Sequence, residues 1–85
     1  MKAAPDQTEK LLLDLERRVD VQQESSAEVE TRLKVMLVQE SHGQFSHALV
    51  ARIARTLSSC LGRRGEWEQA GQYAMMAANL RRRQG

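Results

Sequence analysis

The sequence has few of the residues that interrupt helices or favour strands. Its 85 residues include one proline, five glycines and three aromatic residues, Phe45, Trp67 and Tyr73. Leu, Ala, Glu, Gln, Arg and Met are abundant, and this is a composition of strong helix formers and poor strand formers. The composition therefore predicts one all-α domain over residues 1–85.

Paired cysteines and long apolar runs are absent from the sequence as well. Cys60 is the one cysteine, so no internal disulfide can form, and we expect a reducing cytoplasmic location and a buried thiol. The apolar run at residues 35–38 is too short to span a membrane. The first residues lack the apolar segment of a signal peptide. These features predict a soluble cytoplasmic protein.

Residue sets that specify a reaction are also missing. There is no glycine-rich phosphate loop, and no nucleophile has a paired base. His42 and His47 are five residues apart across a glycine, which is not the spacing that places two imidazoles on one helix face. Carboxylates of the first half alternate with arginines, as on a solvated helix. We predict no enzyme activity, no metal site and no cofactor.

Helix signals divide the first half of the chain in one of two ways. Asp6 and Glu9 form a capping-box pattern, and an apolar seam of helical spacing follows it: Leu12, Leu15, Val19, Val29, Leu33 and Met36. We predict one long helix over residues 6–41, because neither glycine nor proline occurs between Asp6 and His42. The seam is polar at residues 22 and 26. The alternative is therefore two helices separated near residues 24–28, with Ser25 and Glu28 as a second capping box.

The second half of the chain predicts a helical hairpin. Residues 41–46 contain Gly43 and Ser46, which suit a helix end and the next helix start. A helix over residues 46–64 then carries an apolar stripe: Leu49, Ile53, Leu57, Cys60 and Leu61. Gly65 makes a turn into a third helix over residues 66–83. We expect the long first helix to pack antiparallel on this hairpin, as a two- or three-helix unit.

Charge is unequally distributed between the two halves. Residues 1–42 hold six Lys or Arg against nine Asp or Glu, whereas residues 43–85 hold seven Arg against two Glu. This difference predicts attraction between the halves. The basic residues also support an alternative function, a small nucleic-acid-binding or regulatory protein. Its candidate contacts are Arg52, Arg55, Arg63, Arg64, Arg81, Arg82 and Arg83.

Residues 51–84 resemble a tetratricopeptide (TPR) hairpin. The matching positions are Leu57, Leu61, Gly65, Ala70, Ala77 and Leu80. The sequence departs from the TPR pattern at Ala54, Ser58, Ala74 and Arg82. Small residues at 70, 74 and 77 would let two helices approach closely, and Trp67 would fill the open end of the hairpin. An isolated repeat of this family needs a neighbour to cover its remaining apolar face.

The layout of the chain also resembles another family, the E-component co-chaperones of type III secretion needles. The resemblance covers roughly residues 8–62 and rests on a charged first helix with Thr31-Arg32-Leu33-Lys34, a loop with Phe45-Ser46, and a second apolar helix. It implies a helical hairpin that joins a TPR-like chaperone in the cytoplasm. It also implies that the complex keeps a secreted subunit monomeric.

Apolar residues are more numerous than two or three helices can cover, which predicts a partner. We expect a non-enzymatic chaperone, co-chaperone or assembly adaptor that holds an amphipathic helix of another protein, with arginines steering an acidic partner. The candidate partner-binding residues are Leu37, Val38, Leu49, Ile53, Leu57, Trp67, Tyr73 and Met76. A third possibility is self-association, as a homo-oligomeric coiled coil through the seam of the first helix.

Overall fold

The structure is a computed structural model that describes the backbone of residues 4–41 and 47–84 and the side chains of residues 8–39 and 47–83. It consists of four helices: α1 (Ala4–Asp20), α2 (Ala27–Ser41), α3 (His47–Arg63) and α4 (Trp67–Gln84). The described residues contain no strand. The all-α prediction is therefore confirmed. The break predicted around Gly43 and Ser46, and the Phe45-Ser46 pair, lie outside the described residues.

The prediction of one continuous helix over residues 6–41 is wrong, and the two-helix alternative is right. The chain leaves α1 after Asp20, and Gln23 adopts a left-handed conformation with φ of 57°. The Ser26 hydroxyl then accepts a hydrogen bond from the backbone N–H of Val29 at 3.3 Å. Ser26 is therefore the N-cap of α2, one residue after the predicted Ser25. The segment has only polar side chains at residues 22–26, so no core contact holds it helical.

An ion pair also stabilises the break between α1 and α2. The guanidinium of Arg18 donates two hydrogen bonds to the carboxylate of Glu24, at 2.9 and 2.8 Å. The hydroxyl of Ser26 donates a third to the same carboxylate at 3.1 Å. These bonds lower the pKa of Glu24, chiefly through Arg18. The polar residues that weakened the predicted long helix thus make a defined turn.

Replacing Gln23 with glycine should stabilise the protein. A residue with a Cβ costs about 1 kcal/mol in the left-handed conformation, and glycine does not. We expect Gln23→Gly to raise the free energy of unfolding by about 0.5–1 kcal/mol in urea denaturation. Gln22→Gly is the matched control, since Gln22 has no positive φ and the substitution adds only flexibility to the unfolded chain. Equal effects of the two substitutions would contradict the left-handed turn at Gln23.

The hairpin of α3 and α4 is closed by a Schellman motif. Gly65 has φ of 81°. The N–H of Glu66 donates to the carbonyl of Leu61 at 3.0 Å, and the N–H of Gly65 donates to the carbonyl of Gly62 at 3.1 Å. Glycine at residue 65 adopts this φ without a steric penalty. The predicted turn at Gly65 is confirmed, and both helices begin and end within one residue of the predicted bounds.

Contacts between α3 and α4 differ from the predicted set at two residues. Ala70 and Ala77 are buried against α3, as expected, and the hydroxyl of Ser58 donates to the carbonyl of Ala70 at 2.7 Å. Ala74, however, is exposed, because the inward side of α4 follows Tyr73 and Leu80. Trp67 is 72% exposed and does not fill the end of the hairpin. The Trp67 ring lies beside Gly62. A Cβ added to Gly62 would be 3.6 Å from Cζ3 of Trp67.

The central helix of the fold is α3, which contacts each of the other three helices. Its predicted apolar stripe is buried throughout, and Cys60 is buried with it. In contrast, among the described helices α4 contacts only α3. The seam residues of α1 and α2 complete the core: Leu12, Leu15, Val19, Val29, Leu33 and Met36. The seam proposed for a homo-oligomeric coiled coil is therefore occupied within one chain.

Candidate partner-binding groove

The eight candidate partner-binding residues fall into two groups in the structure. One group is buried in the core and consists of Leu37, Leu49, Ile53 and Leu57. A partner could contact these four only if the helices separated. The other group is accessible: Val38 is 57% exposed, Trp67 72% and Met76 38%, while Tyr73 is half-buried against the core. A binding role for this second group stays a prediction.

A groove lies between α1 and α2, with a volume of about 270 Å³. Its floor contains the buried side chains of Leu15 and Met36. Its walls are formed by Leu11, which is 57% exposed, and Val35, which is 51% exposed. The remaining lining residues are Asp14, Arg18, Thr31, Arg32 and Gln39. An apolar strip with a polar rim is the form of a site for an amphipathic helix.

The helical periodicity of α1 explains why only one of two neighbouring leucines lines the groove. Leu12, Leu15 and Val19 face the core. At about 100° per residue, Leu11 and Leu13 therefore lie on opposite flanks of the helix. Leu11 borders the groove, whereas Leu13, which is 55% exposed, does not. The apolar residues beside the seam are the sequence signal for this site, but the eight candidate residues do not include Leu11 and Val35.

Charges on the rim of the groove are mostly paired. Arg18 pairs with Glu24, and Arg32 pairs with Glu28 at 3.2 Å. The hydrogen bonding of the Arg18 guanidinium to the carboxylate of Glu24 is the main cause of the raised pKa of Arg18. Asp14 has no ion-pair partner among the described residues. The rim is therefore close to neutral, and the apolar strip is the main chemical feature of the groove.

The predicted attraction between the two halves is observed as ion pairs between α1 and α3. The guanidinium of Arg52 donates two hydrogen bonds to the carboxylate of Glu16, at 3.2 and 2.9 Å. One helical turn further, Arg55 pairs with Asp20 at 3.2 Å. The hydrogen bond to Glu16 raises the pKa of Arg52. Because these pairs follow the same order along both helices, α1 and α3 run in the same general direction.

A second set of charges joins the start of α2 to the end of α3. The carboxylate of Glu30 contacts Lys34 at 2.7 Å and also pairs with Arg64. These cations, Lys34 foremost, lower the pKa of Glu30. Since Glu30 opens α2 and Arg64 follows α3, the two helices run in opposite directions. Three of the seven arginines proposed for nucleic-acid binding, Arg52, Arg55 and Arg64, thus have carboxylate partners within the chain.

The other four arginines of that set are exposed and lie at opposite ends of the bundle. Arg63 ends α3, whereas Arg81, Arg82 and Arg83 lie at the far end of α4. The length of α4 separates the two groups by about 25 Å. This distribution gives no continuous basic face across the described residues. Nucleic-acid binding stays a prediction. If the chain binds nucleic acid through these arginines, its affinity for DNA or RNA should fall steeply as salt is added.

The described part of the chain shows neither a metal-binding cluster nor a reactive thiol. No group of three or more His, Cys, Asp or Glu residues there could hold a metal ion. His42 lies outside the described residues. Burial raises the pKa of the Cys60 thiol, which disfavours the reactive thiolate. Across the helices of residues 4–41 and 47–84, none is long and apolar enough to cross a membrane.

Comparison with protein-family models, curated proteins and solved structures finds no match to this chain.

Proposed function

We propose that this chain is a non-enzymatic protein-binding module that holds an amphipathic helix of a partner protein in the groove between α1 and α2. The observation that carries the proposal is the pair of exposed walls, Leu11 and Val35, above the buried floor of Leu15 and Met36. A partner helix would cover both walls and complete a helical bundle on the side of α1 and α2 away from α3.

The exposed walls of the groove suit the side chains of a partner helix. The groove has a volume of about 270 Å³, and Leu11 and Val35 border it. Large apolar side chains spaced three and four residues apart on a helix would enter it, while the polar rim would face the flanks of that helix. The module would act as a chaperone, co-chaperone or assembly adaptor.

The resemblance to type III secretion co-chaperones supplies a more specific form of this proposal. In that form the partner is a TPR-like chaperone or a secreted subunit, and the complex forms in the cytoplasm. Within residues 8–62, α2 and α3 run in opposite directions, as the two helices of such a hairpin would, whereas α4 lies beyond the segment that carries the resemblance. Co-expression with such a partner should then give a complex of defined mass, and a stable monomer that forms no complex would contradict this specific form.

Leu11→Asp should weaken binding of a partner helix. A carboxylate in the wall of the groove would be desolvated by the bound helix, so we expect at least about a tenfold increase in Kd. The partner is first retained from cell extract on the immobilised chain. Its groove-binding segment is then synthesised as a peptide and titrated by fluorescence anisotropy. Leu13→Asp is the matched control, because Leu13 is equally exposed on the same helix but lies outside the groove.

Photo-crosslinking locates the contact independently of affinity. A benzophenone side chain in place of Val35 should crosslink to the partner. The same side chain in place of Val38, which is similarly exposed on α2 but does not line the groove, should not. Crosslinking at residue 38 alone, or equal loss of binding in Leu13→Asp and Leu11→Asp, would reject the groove as the site.

A further inference from the structure

The outer face of α4 carries a regular line of exposed residues that the groove does not involve. Its members recur at alternating intervals of three and four residues: Glu68, Gly71, Met75, Ala78 and Arg82. All five are exposed, and Met75 at the centre is 67% exposed. At about 100° per residue, this line lies on the side of α4 opposite the buried Ala70 and Ala77. It has the spacing of a coiled-coil seam.

The line is complementary to itself when reversed. Glu68 stands at one end and Arg82 at the other, about 21 Å apart along the helix. Neither has a hydrogen-bond or ion-pair partner among the described residues. Glu68 and Arg82 each lie seven residues from Met75, and the small residues Gly71 and Ala78 lie four and three residues from it on opposite sides. No atom lies within 4 Å of the place where a Cβ on Gly71 would be, so another backbone can approach there.

We propose that α4 binds α4 of a second copy of this chain, antiparallel, about a two-fold axis at Met75. Glu68 of each copy would pair with Arg82 of the other, Ala78 would lie one residue from the position opposite Gly71, and the two Met75 side chains would meet at the axis. An isologous dimer requires such a self-complementary patch. A parallel pair would instead bring Glu68 against Glu68 and Arg82 against Arg82.

One flank of the same face supports the antiparallel arrangement. Trp67, Ala74 and Arg81 are exposed and seven residues apart in sequence. In an antiparallel helix pair, this flank of one helix faces the same flank of the other helix. The indole of Trp67 would therefore lie near the guanidinium of Arg81 in the other copy. Arginine over an indole ring is a favourable cation–π contact. The exposure of Trp67, at 72%, is then explained by a contact that the single chain lacks.

The fold leaves this face accessible. Among the described helices of a single chain, α4 contacts only α3, and the residues on its opposite side are exposed, so that side can receive another helix. A contact between two helices of this length is a small interface, so we expect a dimer with a Kd of about 10–100 μM. The dimer would present two α1–α2 grooves. Its formation through α4 does not depend on what those grooves bind.

Charge substitutions on α4 test both the surface and the direction of pairing. Sedimentation equilibrium from about 5 to 500 μM should show a monomer–dimer equilibrium for the full chain. Glu68→Arg or Arg82→Glu alone should raise the Kd at least tenfold, because each turns two attractive pairs into repulsive ones. Combining both substitutions in one chain should restore dimerisation to within about threefold. A parallel dimer would not be restored, because its like charges would still face each other.

A cysteine at the axis gives a second readout. Met75→Cys should form a disulfide-linked dimer under mild oxidation, because the two Cα atoms at the axis come within about 7 Å. Ala78→Cys is the control, since its position is displaced by about 9 Å along the helix from the same residue of the other copy. The emission of Trp67, the sole tryptophan, should shift to shorter wavelength as the dimer forms.

Three results would overturn the proposal. The first is a monomer at every concentration. The second is a dimer that is disrupted by Leu11→Asp and not by Met75→Glu, which would assign self-association to the groove. The third is equal disulfide formation at residues 75 and 78. Because Met75 is exposed, Met75→Glu should keep the helical circular dichroism of the parent chain, so loss of the dimer would not reflect unfolding.

Discussion

Replacing Leu57 with alanine should reduce the stability of this protein more than any surface substitution. Leu57 has no exposed surface and lies on α3, which contacts the other three helices. Removing a fully buried leucine side chain leaves a cavity and costs about 2–5 kcal/mol. A domain of this size has a total stability of about 4–13 kcal/mol. We therefore expect Tm to fall by about 10–25 °C for a loss near 3 kcal/mol.

Leu13→Ala is the matched control for Leu57→Ala. The chemical change is identical and the residue is also helical, but Leu13 is 55% exposed. We expect its effect on the free energy of unfolding to stay within about 0.5 kcal/mol. Urea denaturation followed by circular dichroism measures both variants. A similar loss of unfolding free energy in both variants would show that Leu57 is not in the interior. It would contradict the position of α3 at the centre of the fold.

The apolar stripe that contains Leu57 could be predicted because periodicity alone determines it. Residues 49, 53, 57, 60 and 61 recur on one side of a helix, and any compact arrangement must bury that side. Glycine likewise predicted the turn at residue 65, because few other residues adopt its φ readily. In both cases the information lies within a few residues of the feature it describes.

The break between α1 and α2 could not be located from the same kind of signal. Glutamine has no preference for the left-handed conformation that Gln23 adopts. Both Ser25 and Ser26 are competent caps. The choice of Ser26 depends on the ion pair of Arg18 with Glu24, which forms only when α1 ends after Asp20. A long helix without glycine or proline was therefore a reasonable interpretation that tertiary contacts overrode.

The candidate groove was only partly predictable for a related reason. The sequence shows that α1 and α2 carry apolar residues beside their seam, but it does not show which flank another helix covers. The answer depends on α4, which packs on α3 and leaves the flank of Leu11 and Val35 open. Leu49, Ile53 and Leu57 are core residues because α3 lies at the centre and has no free apolar face. Leu37 is a core residue because its side of α2 packs into the same cluster.

The second large effect on stability concerns an ion pair between the acidic first half and the basic second half of the chain. Glu16→Lys should destabilise the fold by about 2 kcal/mol. The side chain of Glu16 is 15% exposed and accepts two hydrogen bonds from Arg52, which is 34% exposed. Arg55 lies 3.8 Å from the same carboxylate. The substitution removes charge-assisted hydrogen bonds and places an ammonium group against two guanidinium groups. Thermal denaturation at low and moderate salt measures the loss.

A charge exchange separates the ion pair from other effects of the substitution. Arg52→Glu in the Glu16→Lys background restores an opposite pair at the same positions, so the double variant should recover at least half of the lost stability. A double-mutant cycle then gives the coupling between the two residues. Asp14→Lys controls for the change in net charge, because Asp14 lies on the same helix without a described ion-pair partner. If that control loses as much stability as Glu16→Lys, general charge is responsible, and the docking of α1 on α3 through Glu16 and Arg52 is refuted.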